Sequence, residues 1–244
     1  MTLAWLVASF AAALVTGARI RGSVFSRSVE PGEPPRDACP ACAREVGSAG
    51  HRWYSLLPMT GRCPGCRVRI GPPALSVELA TALALAVVAT RASSPWELAG
   101  LAWLVLFAIP LVFIDIAVHR LPDALTGAAF AGTLGFLTVA ALTGGHPGQL
   151  ARAGIAAVAL CAFYLLLFII RPSGMGFGDV KLAASVGLGL GWIGWQAVVA
   201  GTFLTFIIAA VYGVALLLLH RATRSSQLPF GPFIVLGTLL AIVV

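Results

Sequence analysis

Residues 97–118 read ELAGLAWLVLFAIPLVFIDIAV. About 20 consecutive apolar residues span a bilayer, so this stretch reads as a membrane-crossing helix. Its one interior charge, Asp115, sits in Leu111-Val112-Phe113-Ile114-Asp115-Ile116-Ala117. A carboxylate there costs several kcal/mol unless it is paired, hydrated or used. Working outward, seven further apolar runs lie at roughly 2–17, 75–91, 124–143, 150–170, 180–195, 197–219 and 229–244; the one at 180–195 is short and glycine-rich. The composition agrees. The 244 residues are 59% hydrophobic and 10% charged, with a mean hydropathy of +0.95. Soluble domains are near a quarter charged, and disorder requires low hydrophobicity, so both classes are excluded. The first run carries no basic leader region and no small-residue cleavage site, and reads as a retained span. The expected fold is an all-α polytopic membrane protein with about eight transmembrane helices and no internal repeat among them.

The net charge of +7 comes from 15 Arg and one Lys against nine acids. It does not indicate nucleic acid, because the basic residues lie between the apolar runs, where membrane orientation accounts for them. The long polar stretch 18–74 holds nine of the 16 basic residues and four of the five cysteines. With that stretch cytoplasmic, the connections 119–123, 171–181 and 220–228 are cytoplasmic too, and only Arg91 and Arg152 fall on the far side. The 14-to-2 division supports eight spans with both termini outside.

Cys39-Pro-Ala-Cys42 and Cys63-Pro-Gly-Cys66 form two C-x2-C pairs separated by 20 residues. Such pairs match a tetrahedral structural zinc site. The segment has few aliphatic residues, so a metal would supply its folding energy. Two disulfides are the alternative, and a reducing cytosol weighs against them. Four thiolates leave no open coordination position, which makes the role structural. Cys161 stands alone inside a span and reads as a small buried hydrophobe.

The acids are few enough to consider singly. Glu30, Glu33, Asp37 and Glu45 belong to the polar stretch and read as solvated. Glu97 follows Pro95 at a helix start, near the positive end of the dipole. Glu78, at the cytoplasmic end of the second span, reads as an ion-pair partner for a nearby Arg. Asp123 follows Pro122 and reads as a helix N-cap. Asp179 closes Gly174-Met175-Gly176-Phe177-Gly178-Asp179, just ahead of an apolar run. The alternating glycines allow positive φ and close approach of another backbone, and a loop of that kind can admit an extended peptide. Two facing carboxylates share one proton. One then takes a proton from water while the other polarises a peptide carbonyl and donates to the leaving amine. The alternative for Asp115 and Asp179 is separate pairing with Arg120 or Lys181. No G-x-S-x-G, H-E-x-x-H or Walker loop is present, and the histidines at 51, 119, 146 and 220 lie scattered at polar boundaries.

Gly176-Phe177-Gly178-Asp179-Val180-Lys181-Leu182 resembles the G-x-G-D-x-K-L motif of the prepilin peptidases, the type IV leader peptidases, among the intramembrane aspartyl proteases. Asp115 ahead of Leu121-Pro122-Asp123-Ala124-Leu125-Thr126 resembles the family's other motif, an Asp several residues before L-P-D-x-L-T. Val77–Ala82 and Pro229-Phe230-Gly231-Pro232-Phe233 also match in kind and place. The resemblance implies that Asp115 and Asp179 are catalytic, with Gly176, Gly178 and Lys181 in the substrate-site loop. It implies type IV prepilins or pseudopilins as substrates, of a pilus, secretion or DNA-uptake machine. Their basic leader would be cut after a glycine at the cytoplasmic face of the bacterial inner membrane. Cys39, Cys42, Cys63 and Cys66 resemble the zinc-ribbon-like module of bifunctional members, which methylate the new N-terminus with S-adenosylmethionine. After the first span the family commonly reads like G-S-F-x-N-V followed by R-L-P. Here Gly22-Ser23-Val24-Phe25-Ser26-Arg27 lacks the Asn, so a peptidase without methyl transfer stands as the alternative.

These readings divide the chain into a first helix at 1–17, a cytoplasmic four-cysteine segment at 18–74 and a seven-helix peptidase part at 75–244. A different class, a proton-coupled transporter relaying through Asp115 and Asp179, is disfavoured. Such proteins often carry broken helices in matching halves, and only one glycine-broken junction is present.

Overall fold

The computed structural model describes residues 3–30, 32–46, 60–172, 174–221 and 228–243. Arg52, His51 and Arg224 lie outside the described residues, as does part of the 220–228 connection. Among the described residues eight helices follow one another: α1 (Leu3–Arg27), α2 (Ser76–Ala89), α3 (Pro95–Val118), α4 (Asp123–Gly144), α5 (Pro147–Ile170), α6 (Phe177–Ile193), α7 (Trp195–Leu218) and α8 (Gly231–Val243). Each apolar run becomes one helix. Four of them, α3, α4, α5 and α7, are long and apolar enough to cross a membrane. At 1.5 Å per residue, the 14 residues of α2 and 13 of α8 reach only about 21 and 20 Å.

Two boundaries differ from the sequence reading. The first helix does not stop near residue 17 but continues to Arg27. Arg21 and Phe25 are fully buried there, so the polar-looking extension has partners and does not unwind. Helix α6 begins at Phe177, which puts Asp179 inside its first turn rather than ahead of it.

Arg21 holds α1 against α2. Its Nε and Nη2 donate to the two oxygens of Glu78 at 2.7 and 2.6 Å, and its remaining N–H groups reach the carbonyls of Pro72 and Pro73 at 3.0 and 2.9 Å. Both side chains are sealed, at 0% and 1% exposure. Glu78 is thus the ion-pair residue that its position suggested. A bidentate geometry with the remaining donors satisfied is what makes such a buried pair tolerable.

Helix α6 is the hub. Twelve of its 17 residues are buried, and it packs against α3, α4, α5, α7 and α8. Its glycines explain how. A Cβ on Gly187 would lie 2.6 Å from the Ala157 Cα, and one on Gly191 would lie 2.9 Å from the Ala153 Cα. Small residues four apart let helix backbones touch where no hydrophobic effect drives association. The shortness and glycine content of this run, weak as a membrane signal, are therefore the mark of a central helix. By contrast α7 buries only Ala197, Val198, Gly201 and Thr205 and leaves Val199, Phe203, Val211 and Val214 exposed.

The connections fall into two groups by what they touch. At one end His119, Leu121, Pro172, Gly176, Leu228 and Phe230, from three of these connections, line one cavity, and Arg120 Nη1 donates to the Glu30 carbonyl at 3.0 Å. This is the grouping that the charge count required. At the other end Arg91 and Arg152 meet the last turns of α8 and α6.

Candidate active site

Asp115 lies one turn from the C-terminus of α3 and is 4% exposed. The helix closes just beyond it: His119, at φ 50°, returns its N–H to the Asp115 carbonyl at 2.8 Å. The Asp115 side chain crosses to another helix. Its Oδ2 accepts from the backbone N–H of Gly231 at 2.9 Å. Gly231 is the first residue of α8, whose leading N–H groups have no partner within the helix.

Asp179 is held in a parallel way. It is 3% exposed and occupies the first turn of α6, where its Oδ2 accepts from the Gly176 N–H at 3.0 Å. Its own N–H returns to the Gly176 carbonyl at 3.1 Å, so the two residues close a reciprocal cap. The other oxygen, Oδ1, is buried and has no hydrogen-bond partner among the described residues. An unpaired buried acceptor is costly, and a substrate or water hydrogen would relieve it. Both carboxylates therefore rest on helix N-termini, α8 for one and α6 for the other, where the dipole favours negative charge.

The structure brings Asp115 and Asp179 to the wall of one cavity of about 370 Å³. His119, Arg120, Leu121, Phe177, Lys181 and Phe230 also line it. Neither aspartate pairs with Arg120 or Lys181. Arg120 is turned to the carbonyls of Val29 and Glu30. Lys181 Nζ bonds Asp123 Oδ1 at 2.6 Å and lies 4.9 Å from the Phe177 ring centroid. The expectation that Asp123 is an N-cap is corrected: Pro122 holds that position, and Asp123 is the first helical residue. Its side chain is 78% exposed at the rim, because Lys181 across the cavity mouth offers it a better partner than the turn's own N–H groups.

The glycines of the 174–178 stretch act differently from expectation. Gly176 has φ −79°, and positive φ occurs at Gly32, Gly61 and Gly145 instead. What Gly178 supplies is room: a Cβ there would lie 2.6 Å from that of Leu121, so the loop ahead of α4 closes onto the first turn of α6. Gly231 is the residue whose role the sequence left unassigned. A Cβ on it would lie 2.9 Å from Asp115 Oδ2. The signal was the Pro229–Phe233 motif, but no spacing rule shows which carboxylate an amide 116 positions away will meet.

The second cluster lies in the polar stretch. Cys39 and Cys63 each donate their N–H to the carbonyl five residues on and accept from the N–H four residues on. The fourth residues, Ala43 and Arg67, sit at φ 55° and 58°. The two C-x2-C units are therefore copies of one turn. Cys39 Sγ lies 3.7 Å from Cys66 Sγ, and Cys42 Sγ lies 3.7 Å from Cys63 Sγ; all four sulfurs fall within 4.8 Å of one another. Sulfurs placed about 2.3 Å from a tetrahedral zinc are separated by about 3.8 Å. N–H groups of Cys66 and Gly65 hold the Cys63 thiol down at about 6, favouring the thiolate that a metal needs. The four residues fit a zinc ion. Phe25 from α1, Val46 and Ile70 pack beside Cys39 and Cys63, so the module is seated on the end of α1. Cys161, expected to be buried, is only half-buried and packs at the edge of the main core.

A model of the type IV leader peptidase family matches residues 101–214, a span that includes both aspartates. A prepilin leader peptidase/N-methyltransferase of Aeromonas salmonicida (strain A449) is 33% identical over 217 residues, covering 85% of this chain and 71% of that protein. One from Pseudomonas aeruginosa is 30% identical over 220 residues with the same coverage. One from Burkholderia pseudomallei (strain K96243) is 33% identical, covering 83% and 65%. No solved structure matches the chain.

Proposed function

This chain belongs to the type IV leader peptidase family, and on that premise we propose that it is a multi-pass membrane aspartyl endopeptidase that removes the basic leader from type IV prepilins or pseudopilins. The observation that carries the reading is the convergence of Asp115 and Asp179, from α3 and α6, on one cavity, with neither paired to a basic side chain among the described residues. In this reading one carboxylate is ionised and takes a proton from a water whose oxygen bonds to the scissile carbonyl carbon. The other, protonated, donates to the carbonyl oxygen; the C–N bond then breaks, and a proton passes to the leaving amine. Gly176 and Gly178 shape the loop beside the scissile bond, and Lys181 braces its rim. The transporter reading has lost its ground, since the family is one of enzymes.

The topology we propose has all eight helices crossing the bacterial inner membrane, the shorter ones matched by local thinning, with the aspartates near the cytoplasmic face. The chain then divides into the first helix (1–17 and its continuation), the four-cysteine segment within 18–74, and the peptidase part at 75–244. Cys39, Cys42, Cys63 and Cys66 would hold a zinc ion that supplies folding energy and no chemistry. Methyl transfer from S-adenosylmethionine to the new N-terminal amine is the second half of the reading, supported by the relatives' named activity and the cysteine module; no residue is assigned to the cofactor. A peptidase without methyl transfer is the second reading, favoured by the missing Asn after Gly22-Ser23-Val24-Phe25.

The test is cleavage of a prepilin by purified protein, followed by mobility shift and mass spectrometry. Asp115→Asn and Asp179→Asn are each expected to lower the rate by at least about 100-fold. Normal cleavage by either variant refutes the pair. A mature pilin left unmethylated in the presence of S-adenosylmethionine reduces the function to the peptidase.

A further inference from the structure

Two arginines stand on the wrong side of the charge count, Arg91 and Arg152. A basic residue on the non-cytoplasmic side works against the orientation that the other 14 impose. Both are occupied at the far end of the bundle from the aspartates. Arg152, early in α5, donates from Nε to the Gly191 carbonyl at 2.6 Å, and from Nη2 to those of Trp192 and Ile193 at 2.6 and 3.3 Å. The Leu190 carbonyl takes the Gly194 N–H at 2.9 Å. All four terminal carbonyls of α6, the groups that a helix cannot satisfy internally, therefore have partners, and one side chain supplies three of them. Helix α7 begins at once after Gly194, so no longer loop is available to do so. Arg91 Nε donates to the Ile242 carbonyl in the last turn of α8 at 2.7 Å.

The two helices gripped in this way are the two whose first turns hold the carboxylates. Asp179 is in the first turn of α6, and Gly231, which donates to Asp115, begins α8. A helix hydrogen-bonded along its length moves axially as a unit. Its depth in the bundle is thus fixed at both ends or at neither. Gly191 and Trp192 are buried, so carbonyls freed there would lack partners, and a released end would be driven to shift.

We propose that Arg152 and Arg91 are positioning residues for the aspartate pair, setting the depth of α6 and α8 by gripping their C-terminal carbonyls from the opposite face of the bundle. The inference rests on the reading of Asp115 and Asp179 as the catalytic pair.

The test compares Arg152→Gln, Arg152→Lys and Arg91→Gln in purified full-length protein, measuring kcat and KM for a prepilin and the melting temperature. Displacement of reacting groups by an ångström costs up to about 100-fold. The expected result is therefore a kcat per folded molecule at least about 10-fold lower for Arg152→Gln, with KM little changed. Arg91→Gln, which loses one bond, should fall less. Arg152→Lys, whose ammonium can still meet carbonyls, should recover part of the loss. A lower melting temperature with unaltered kcat per folded molecule means a structural role alone and overturns the proposal. So does a change confined to KM, or a lysine variant no better than glutamine. If Arg152→Gln does not fold, the Lys and Arg91 variants decide by the same criteria. Asp115→Asn and Asp179→Asn are assayed alongside. If either cleaves normally, the catalytic reading fails and nothing is left to position. If both are inactive and Arg152→Gln keeps its kcat, the positioning proposal alone fails.

Discussion

Three aspartates stand near the cavity, and their surroundings set them apart. Asp115 and Asp179 are buried and each takes a helix-leading N–H, while Asp123 is exposed and paired with Lys181. Asp123→Asn should accordingly retain cleavage within about fivefold, since an exposed ion pair contributes at most about 1 kcal/mol; a loss as deep as that of Asp179→Asn in the same assay would reassign the pair. Gly231→Ala is expected to lower kcat at least about 10-fold, because the added methyl group would press on Asp115 Oδ2 and displace it from its geometry. Unchanged kcat would show that the Gly231 contact does not hold the carboxylate. The scarcity of acids in an apolar chain narrowed the candidates to Asp115, Asp123 and Asp179, and the motif resemblance put forward Asp115 and Asp179, but their hydrogen-bond partners were not readable. Gly176 is a local partner within one turn, whereas Gly231 comes from the last helix, and only folding brings it near.

At the level of elements, every apolar run became a helix, since hydropathy reports burial in lipid directly. The ends were less legible. Helix α1 ran on to Arg27 because Glu78 and the Pro72 and Pro73 carbonyls accept from Arg21, a partnership across 57 residues. Helix α6 gained its role through glycines that sequence alone marks as weak. Gly187→Val should cost about 1–3 kcal/mol through overpacking, seen as a lower melting temperature in detergent; an unchanged transition would mean that α5 and α6 do not meet at this point. The two cysteine turns were legible from spacing because each closes within six residues. Chelation, or Cys39→Ser, is expected to release about one zinc per chain and expose the two cysteine turns, 39–44 and 63–68, to protease. Cleavage of prepilin should continue, as the sulfurs lie apart from the aspartate cavity. A metal-free protein with full protease resistance would refute the zinc assignment.

Over the whole molecule the charge distribution predicts the orientation. Glu33→Cys, in a background without the native cysteines, should react with a membrane-impermeant maleimide only in inverted vesicles, and Thr143→Cys only in intact spheroplasts; the reverse pattern would turn the molecule over. The structure supports the grouping behind this prediction, since connections assigned to one side line a common cavity and the two excepted arginines each meet the C-terminal end of a helix whose first turn lies at that cavity. The sequence by itself determined the all-helical, apolar character of the chain, its run of helices and the pairing of the four cysteines, because each depends on local composition or short spacing, and it put forward Asp115 and Asp179 as the candidate pair. Tertiary structure alone decided that α6 is the hub, that Gly231 serves Asp115, and that Arg91 and Arg152 grip α8 and α6. These are contacts between segments far apart in the chain, and their energy comes from hydrogen bonds and close packing that exist only once the helices have met.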